Sequence, residues 1–305
     1  MSIPIKHHYL PAFFIERWAN ADGRVVEFSR PYRRLVARRR FATETGYQPH
    51  LYSIPTRADP AHRQELESRF LSRVDDVASN ALAYFEAHSS PPTDQHLRSG
   101  WSRFLMSLMH RHPRQIEFLW KHLREGDAKW MSEVEATYDD LRAATDPPTF
   151  AEYLATDENG VVSEAFASLF SELVDSPRVG SVLNGSVWGF ARVPSDAGEF
   201  LTSDSPLVMN RIGQPDGYLL LAVSPKSFFV ASQSREVVDF VGSQPPSALV
   251  QRMNQQVAAQ AHHQVIARDS GARAFVDPLF LPFRRRRLPD LVGLPPSIAP
   301  YVFTG

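Results

Sequence analysis

The chain has no cysteine and only four lysines among its 305 residues. Without cysteine there are no disulfides, no thiolate nucleophiles, no Cys-ligated zinc and no iron–sulfur clusters. No apolar run approaches the about 20 residues of a membrane-spanning helix, and the N-terminus lacks the pattern of a secretory signal. We therefore expect a cytoplasmic protein with no membrane partner. Any metal it binds must be held by His, Asp, Glu or Asn.

The charges nearly cancel, because 33 Lys and Arg stand against 34 Asp and Glu. A near-zero net charge gives no overall attraction for nucleic acid. The cations are nevertheless concentrated in two arginine-rich runs, Arg30 to Arg40 and Arg284 to Arg287. If nucleic acid is a partner, we expect these runs, interpreted as loops, to bind it. The alternative is that both are solvated and that the arginine excess reflects a GC-rich genome.

Composition and patterning predict the fold class. The chain is 43% hydrophobic and 22% charged, which is typical of globular proteins. Helical periodicity dominates residues 61–175, and alternating, strand-like runs occupy about 183–277. Two further short strands are indicated between Arg24 and Val36. We predict an α+β fold in which a central helical bundle region packs on a mainly antiparallel sheet formed by N-terminal and C-terminal strands. Residues 1–305 would then be a single interwoven domain.

Local signals also predict where individual elements begin and end. The spacing of apolar residues predicts one long helix over residues 61–87. Thr93 or Asp94 can cap the helix that follows, because a side-chain oxygen at this position accepts a free backbone N–H. Near the C-terminus, we expect a helix over residues 246–268 and then a strand at 274–276.

Common catalytic motifs are missing from the sequence. It contains no G-x-x-x-x-G-K-[ST] loop, no G-x-G-x-x-G turn and no H-E-x-x-H. Ser186 follows a glycine directly, which is the wrong spacing for a nucleophile elbow. A restriction-type nuclease core is also poorly matched, since Ser224 stands where a carboxylate should precede Lys226. No motif of these kinds identifies the reaction.

A different set of short motifs runs in order through most of the chain. It comprises His-His-Tyr-Leu-Pro-Ala-Phe from His7, Arg111-His112-Pro113, Thr202-Ser203-Asp204-Ser205-Pro206, Leu221 to Pro225 and Asn254. Together these motifs resemble a bacterial family of unknown function, DUF4238. Ser205 replaces the family's Asn, and Ala222-Val223 depart from its Pro-Leu-Ser-Pro strand end. The resemblance implies no established activity, but it singles out polar residues.

We expect one cleft between the helices and the sheet to collect the candidate catalytic residues, which are His7, His8, Arg111, Asp204 and Asn254. In this hypothesis His8 and Asp204 hold a divalent metal, and Arg111 contacts a substrate phosphate. Structural alternatives remain for most of these residues. Either histidine can be satisfied by the backbone, Asp204 can form an Asx-type turn, and Arg111 can pair with Glu67 turned inward.

Two functions follow from these expectations. The first is a metal-assisted nuclease or other phosphodiester hydrolase that uses a His/Asp/Arg site. The second is a non-catalytic binding or interaction protein whose polar cluster is structural. A hydrolase of small esters or amides is disfavoured by the missing nucleophile elbow. Other histidines are set aside: His110 and His112 cannot chelate from one helical face, and His262-His263 is interpreted as a surface feature of a helix.

Overall fold

The computed structural model describes residues 5–54, 64–125, 128–156 and 160–281. The arginine run Arg284 to Arg287 and the first residues of the predicted helix 61–87 lie outside these ranges. The strands are β1 (Lys6–His8), β2 (Arg24–Ser29), β3 (Val36–Phe41), β4 (Tyr47–Pro49), β5 (Val187–Arg192), β6 (Thr202–Ser203), β7 (Val208–Asn210), β8 (Tyr218–Ser224), β9 (Ser227–Ser232) and β10 (Gln264–Ala267).

The α-helices are α1 (Ala12–Ile15), α2 (Ser72–His88), α3 (Gln95–His110), α4 (Pro113–Glu125), α5 (Ala128–Leu141), α6 (Phe150–Thr156), α7 (Val161–Val174), α8 (Pro177–Gly185), α9 (Arg235–Gly242), α10 (Pro246–Gln260) and α11 (Arg273–Leu279). A wider π-helical stretch, Leu66–Leu71, leads directly into α2.

In the described part of the chain the strands form three antiparallel sheets. One pairs β1 with β4, the second has the order β3-β2-β10-β6, and the third has the order β5-β9-β8-β7. The second sheet joins both ends of the chain, because β2 and β3 precede the helices while β6 and β10 follow them. The prediction of an α+β fold with antiparallel strands from both ends is confirmed. The strands are divided among three sheets, a detail that the sequence did not show.

Aromatic packing fixes the helices on the third sheet. The ring of Phe85 on α2 lies 5.2 Å from Trp101 on α3 and 5.6 Å from Phe229 on β9. All three side chains are fully buried, and burial of each contributes roughly 1.5–3 kcal/mol. This packing sets the position of α3, and with it the position of Arg111, which follows the last residue of α3 and begins the candidate site.

The sequence located most helices but misplaced some boundaries. Asp94 caps α3 as expected, since its carboxylate accepts the N–H of Leu97 at 2.8 Å. The helix predicted over residues 246–268 is α10, and it ends at Gln260, because Ala261 is extended (ψ 139°) and β10 follows. The strand expected at 274–276 is wrong, since these residues lie within α11. Short apolar runs fit a helix or a buried strand equally well, so periodicity alone could not separate the two.

Candidate functional site

His7 is completely buried on β1. Its Nδ1 atom accepts the backbone N–H of Tyr52 at 2.9 Å, and its ring stacks on the Tyr52 ring at 5.6 Å. These contacts hold the chain after β4 against β1. His7 thus resembles the backbone-satisfied histidine of the structural alternative more than a catalytic group.

Arg111 follows the last residue of α3 and is also completely buried. Its Nη2 and Nη1 atoms donate to the two carboxylate oxygens of Asp75 at 2.7 and 3.2 Å. Such a two-point contact is the strongest geometry for a guanidinium–carboxylate pair. Each terminal nitrogen keeps a second N–H, and the Nε atom is buried with no hydrogen-bond partner among the described residues, so the expected contact of Arg111 with a substrate phosphate stays a prediction.

His8 and Glu67 lie beside this ion pair, and we call His8, Glu67, Asp75 and Arg111 the arginine cluster. The Oε1 atom of Glu67 accepts the backbone N–H of His8 at 3.4 Å. Its Oε2 atom and the Nε2 atom of His8 are buried, and neither has a hydrogen-bond partner among the described residues. Glu67 therefore turns inward as the sequence suggested, although the direct partner of Arg111 is Asp75.

Burial shifts the pKa values of Glu67 and His8 in the directions that favour their neutral forms. Desolvation raises the pKa of Glu67 to about 7, and the opposing charge of Arg111 only partly offsets it. Desolvation also lowers the pKa of His8 to about 4, assisted by the charges of Lys6 and Arg111. A carboxyl group with a pKa near neutrality can accept and return a proton at physiological pH.

A second group surrounds Asp204, which directly follows β6. The Oδ1 and Oδ2 atoms of this buried carboxylate accept the backbone N–H groups of His262 and His263, respectively. The Nε2 atom of His112 lies 3.4 Å from Oδ2. We call His112, Asp204, His262 and His263 the histidine cluster. These contacts differ from the Asx-type turn that was the structural alternative for Asp204, because its carboxylate accepts from a loop about 60 residues away.

Asp204 is charged in this setting. Burial alone would raise its pKa, but the hydrogen bond and charge of His112, together with the N–H groups of His262 and His263, outweigh that effect. The pKa of Asp204 is therefore lowered. An ionised carboxylate has about four acceptor positions, so it can keep its hydrogen bonds from the backbone N–H groups of His262 and His263 and still bind a cation.

Three members of the histidine cluster converge on one point. One ligand atom each from His112, Asp204 and His263 lie within 4.8 Å of one another. Ligands that hold a metal at about 2.0–2.2 Å in a tetrahedron are separated by about 3.3–3.6 Å. The separation of 3.4 Å between His112 Nε2 and Asp204 Oδ2 fits this value. His8, which the sequence paired with Asp204, is not part of this group.

Tyr9 connects the two clusters. It follows His8 in the chain, and its ring centroid lies 6.1 Å from that of His112. Burial raises its pKa, and the negative charges of Asp204 and Glu27 raise it further. The consecutive residues Arg111 and His112 form a second connection. The two clusters therefore adjoin as halves of one polar region.

Asn254 does not join either cluster. It lies on α10, where its Oδ1 atom accepts the N–H of Leu201 at 2.7 Å and its Nδ2 atom donates to the carbonyl of Glu199 at 2.8 Å. Both ends of the amide therefore hold the segment that enters β6. The prediction that Asn254 lies in the cleft is corrected: it supports the strand that precedes Asp204.

Sequence reasoning missed three histidines of the site. His112 stood within the Arg111-His112-Pro113 motif, but it was judged only against His110. His262 and His263 were set aside because the preceding helix was expected to continue through them. Recognition that this helix stops at Gln260 would have placed both residues in a turn, next to the strand that pairs with β6.

Comparisons with known proteins identify the family of the chain but no activity. No curated protein matches the chain, and no solved structure does. None of the described helices is long and apolar enough to cross a membrane. A family model described as "Protein of unknown function (DUF4238)" matches residues 6–271, which is most of the sequence. The chain therefore belongs to the DUF4238 family.

Proposed function

We propose that this protein is a metal-assisted phosphodiester hydrolase that acts on nucleic acid in the cytoplasm. The observation that carries the proposal is the convergence of His112, Asp204 and His263, whose ligand atoms lie within 4.8 Å of one another. Three protein ligands leave a coordination position for water, as in catalytic metal sites. Two imidazoles and one carboxylate favour Zn²⁺ or Mn²⁺ over Mg²⁺, which prefers oxygen ligands.

The adjoining arginine cluster supplies the acid–base chemistry of the proposed reaction. A cation at the histidine cluster would polarise the phosphoryl oxygen and acidify a water molecule. Glu67, with its pKa of about 7 and a buried oxygen that lacks a described partner, is the residue that takes up and returns the proton. Arg111 holds the neighbouring Asp75 and limits the rise in the pKa of Glu67, so it acts as a positioning residue.

A specific contact favours the second candidate, a non-catalytic protein with a structural polar cluster. The backbone N–H of Arg114 points at the Nδ1 atom of His112 at 3.2 Å. An imidazole that accepts at Nδ1 carries its proton on Nε2, the atom that faces Asp204. In that state the His112–Asp204 pair is complete without a metal. Metal binding through Nε2 would move the proton to Nδ1 and break the Arg114 contact.

The test uses two adjacent histidines as variant and control. Purified protein is incubated with labelled RNA and DNA strands, with EDTA, Mn²⁺ or Zn²⁺, and metal binding is measured separately by calorimetry. We expect His263→Ala to lower metal-dependent cleavage at least about 100-fold and to weaken metal binding. His262→Ala should reduce both much less, because its side chain is not in the converging group and the variant keeps the backbone N–H that Asp204 accepts, although the His262 ring lies 4.7 Å from that of His112.

The variant Glu67→Gln tests the acid–base role separately from metal binding. Loss of the acid–base group should reduce the cleavage rate about 100- to 10,000-fold while metal affinity stays unchanged. Absence of metal-dependent cleavage by the wild type would contradict the proposal. An equal loss in His262→Ala and His263→Ala would also contradict it and would favour a structural cluster.

A further inference from the structure

β3 is an open edge of the second sheet. It stands at one end of the strand order β3-β2-β10-β6, and none of its residues is buried. The run Arg30 to Arg40, which the sequence suggested to be a loop, is therefore an edge strand over residues 36–40. An edge strand turns a row of backbone N–H and C=O groups away from its sheet. β3 thus offers such groups to another chain.

Hydrogen bonds at the end of the β2–β3 ladder show which residues face outward. Arg24 and Phe41 stand opposite each other in the register. The N–H of Arg24 donates to Oδ1 of Asp22 at 3.3 Å, and its C=O accepts the N–H of Asn20 at 2.9 Å. The N–H of Phe41 donates to the carboxylate of Glu44 at 3.2 Å. Arg24 and Phe41 are therefore a pair without ladder hydrogen bonds, and such pairs alternate with bonded ones along antiparallel strands.

This alternation gives Arg39 and Ala37 the same outward orientation. Their N–H and C=O groups point away from β2, and none of these groups has a hydrogen bond to another residue in the described part of the chain. Before them, the C=O of Leu35 accepts from Nη2 of Arg273 at 2.8 Å, so the open stretch begins at Ala37. It presents two donors and two acceptors at the spacing of a strand.

Cations lie along and beside this open edge. Arg33 and Arg34 in the turn before β3, and Arg38 within it, are exposed, and none of the three forms an ion pair with a described residue. Arg39 pairs with Asp22, but the two side chains are 56% and 40% exposed, and ion pairs in such a setting contribute little. The edge therefore attracts a chain that carries negative charge.

We propose that β3 binds an acidic, extended segment of a partner protein, which adds to the second sheet as a further strand. Strand addition supplies hydrogen-bond partners to the open groups of Ala37 and Arg39. Acidic side chains of the added strand lie beside Arg38, where cross-strand pairs of opposite charge stabilise a sheet. The partner site is separate from the proposed hydrolase site, because β6, which precedes Asp204, is at the opposite edge of the sheet.

Two other occupants fit this edge less well. The backbone phosphates of a nucleic acid only accept hydrogen bonds, so they would leave the C=O groups of Ala37 and Arg39 unpaired next to negative charge. A second copy of β3, paired about a two-fold axis at Arg38, would bring arginine directly opposite arginine, which is destabilising. Charged edge residues prevent such self-pairing in many sheets, and here they also select an acidic partner.

A peptide probe and a proline variant test strand addition. The anisotropy of a fluorescein-labelled peptide of four Glu-Val repeats is followed as protein is added, and a peptide of four Lys-Val repeats is the control ligand. Ala37→Pro removes an outward N–H without loss of a β2–β3 hydrogen bond, and proline is tolerated at such edge positions. We expect Ala37→Pro to raise Kd for the Glu-Val peptide at least about tenfold. Ala37→Ser, which keeps the N–H, should change Kd less than about twofold.

Two further measurements separate charge from backbone pairing. The double variant Arg33→Gln/Arg38→Gln should raise Kd for the Glu-Val peptide about threefold or more. In the wild type, the same peptide should slow the hydrogen exchange of the Ala37 and Arg39 amides at least about tenfold. Thermal melting of each variant checks that the fold is retained. If Ala37→Pro fails to fold, the exchange of these two amides decides the question.

Three results would overturn the inference: no binding of the Glu-Val peptide by the wild type at low salt, equal affinity for the Lys-Val peptide, or equal affinities of Ala37→Pro and Ala37→Ser. Displacement of the peptide by single-stranded RNA or DNA whose binding is unaffected by Ala37→Pro would assign this edge to nucleic acid instead. A wild-type dimer that Ala37→Pro abolishes in sedimentation would assign the edge to a second copy of the chain, and this too would overturn the proposal.

Discussion

Glu67 makes the stability of the protein depend on pH in an unusual direction. A glutamate in the unfolded chain titrates near 4.5, whereas burial raises the pKa of Glu67 in the folded protein to about 7. Between these values the folded state keeps a proton that the unfolded state has lost. The free energy of unfolding contributed by this residue is therefore fully present below about pH 4.5 and decreases as the pH rises to about 7.

The variant Glu67→Gln isolates this contribution, because glutamine stays neutral at every pH. The stability of Glu67→Gln relative to the wild type should rise by about 2–3 kcal/mol between pH 4.5 and 7.5. Urea unfolding followed by circular dichroism at several pH values measures the difference. The same substitution at an exposed position of α9, Glu236→Gln, provides the control. A flat profile for Glu67→Gln would show that the carboxyl group is not desolvated.

The residues of the site show how much of it could be predicted from the sequence. Arg111 and Asp204 were singled out by type and motif, and both lie in the polar region. Their partners, Asp75 and the backbone of His262 and His263, come from distant segments that no local pattern connects. The hydrogen bonds of Asn254 to the chain entering β6 could not be predicted either. The sequence does not show whether an amide side chain on a helix faces a cleft or binds the backbone of a neighbouring segment.

Helix α3 passes unusually close to α2, and a single glycine permits this approach. A Cβ atom added to Gly100 would lie 2.1 Å from Cγ1 of Val77. We expect Gly100→Ala to destabilise the protein by about 1–3 kcal/mol, because overpacking outweighs the gain in helix propensity. Combining it with Val77→Ala should restore most of the loss. Chemical denaturation of the two single variants and the double variant measures this coupling.

Gly185, at the end of α8, is the matched control. A Cβ atom there would meet nothing within 4 Å, so Gly185→Ala should be neutral or stabilising by up to about 1 kcal/mol. Equal effects at the two positions would contradict the close contact. The apolar spacing of α2 and α3 predicted both helices, but it could not show which glycine is the one against the neighbouring helix. That information resides in the packing of side chains between elements.

For the molecule as a whole, β10 is the strand that links the two ends of the chain. It lies between β2 and β6, so residues before the helical region and after it depend on the same strand. This pairing explains why the sheet was only partly predictable. Apolar runs predicted the strands, but they could not predict which strands pair across about 240 residues of intervening chain. The single interwoven domain stays a prediction.

Disruption of β10 tests that prediction. Val265 is fully buried, and Val265→Asp would place an unpaired charge there at a cost of more than about 4 kcal/mol, comparable with the total stability of many domains. If the chain is one cooperative unit, the helical signal at 222 nm should be lost and the tryptophan emission should shift to that of solvent-exposed indole in the same variant. Ser270→Asp, an exposed position shortly after β10, should leave both signals intact. Helical signal that survives in Val265→Asp would show that the helical region folds alone, and the chain would then have two domains.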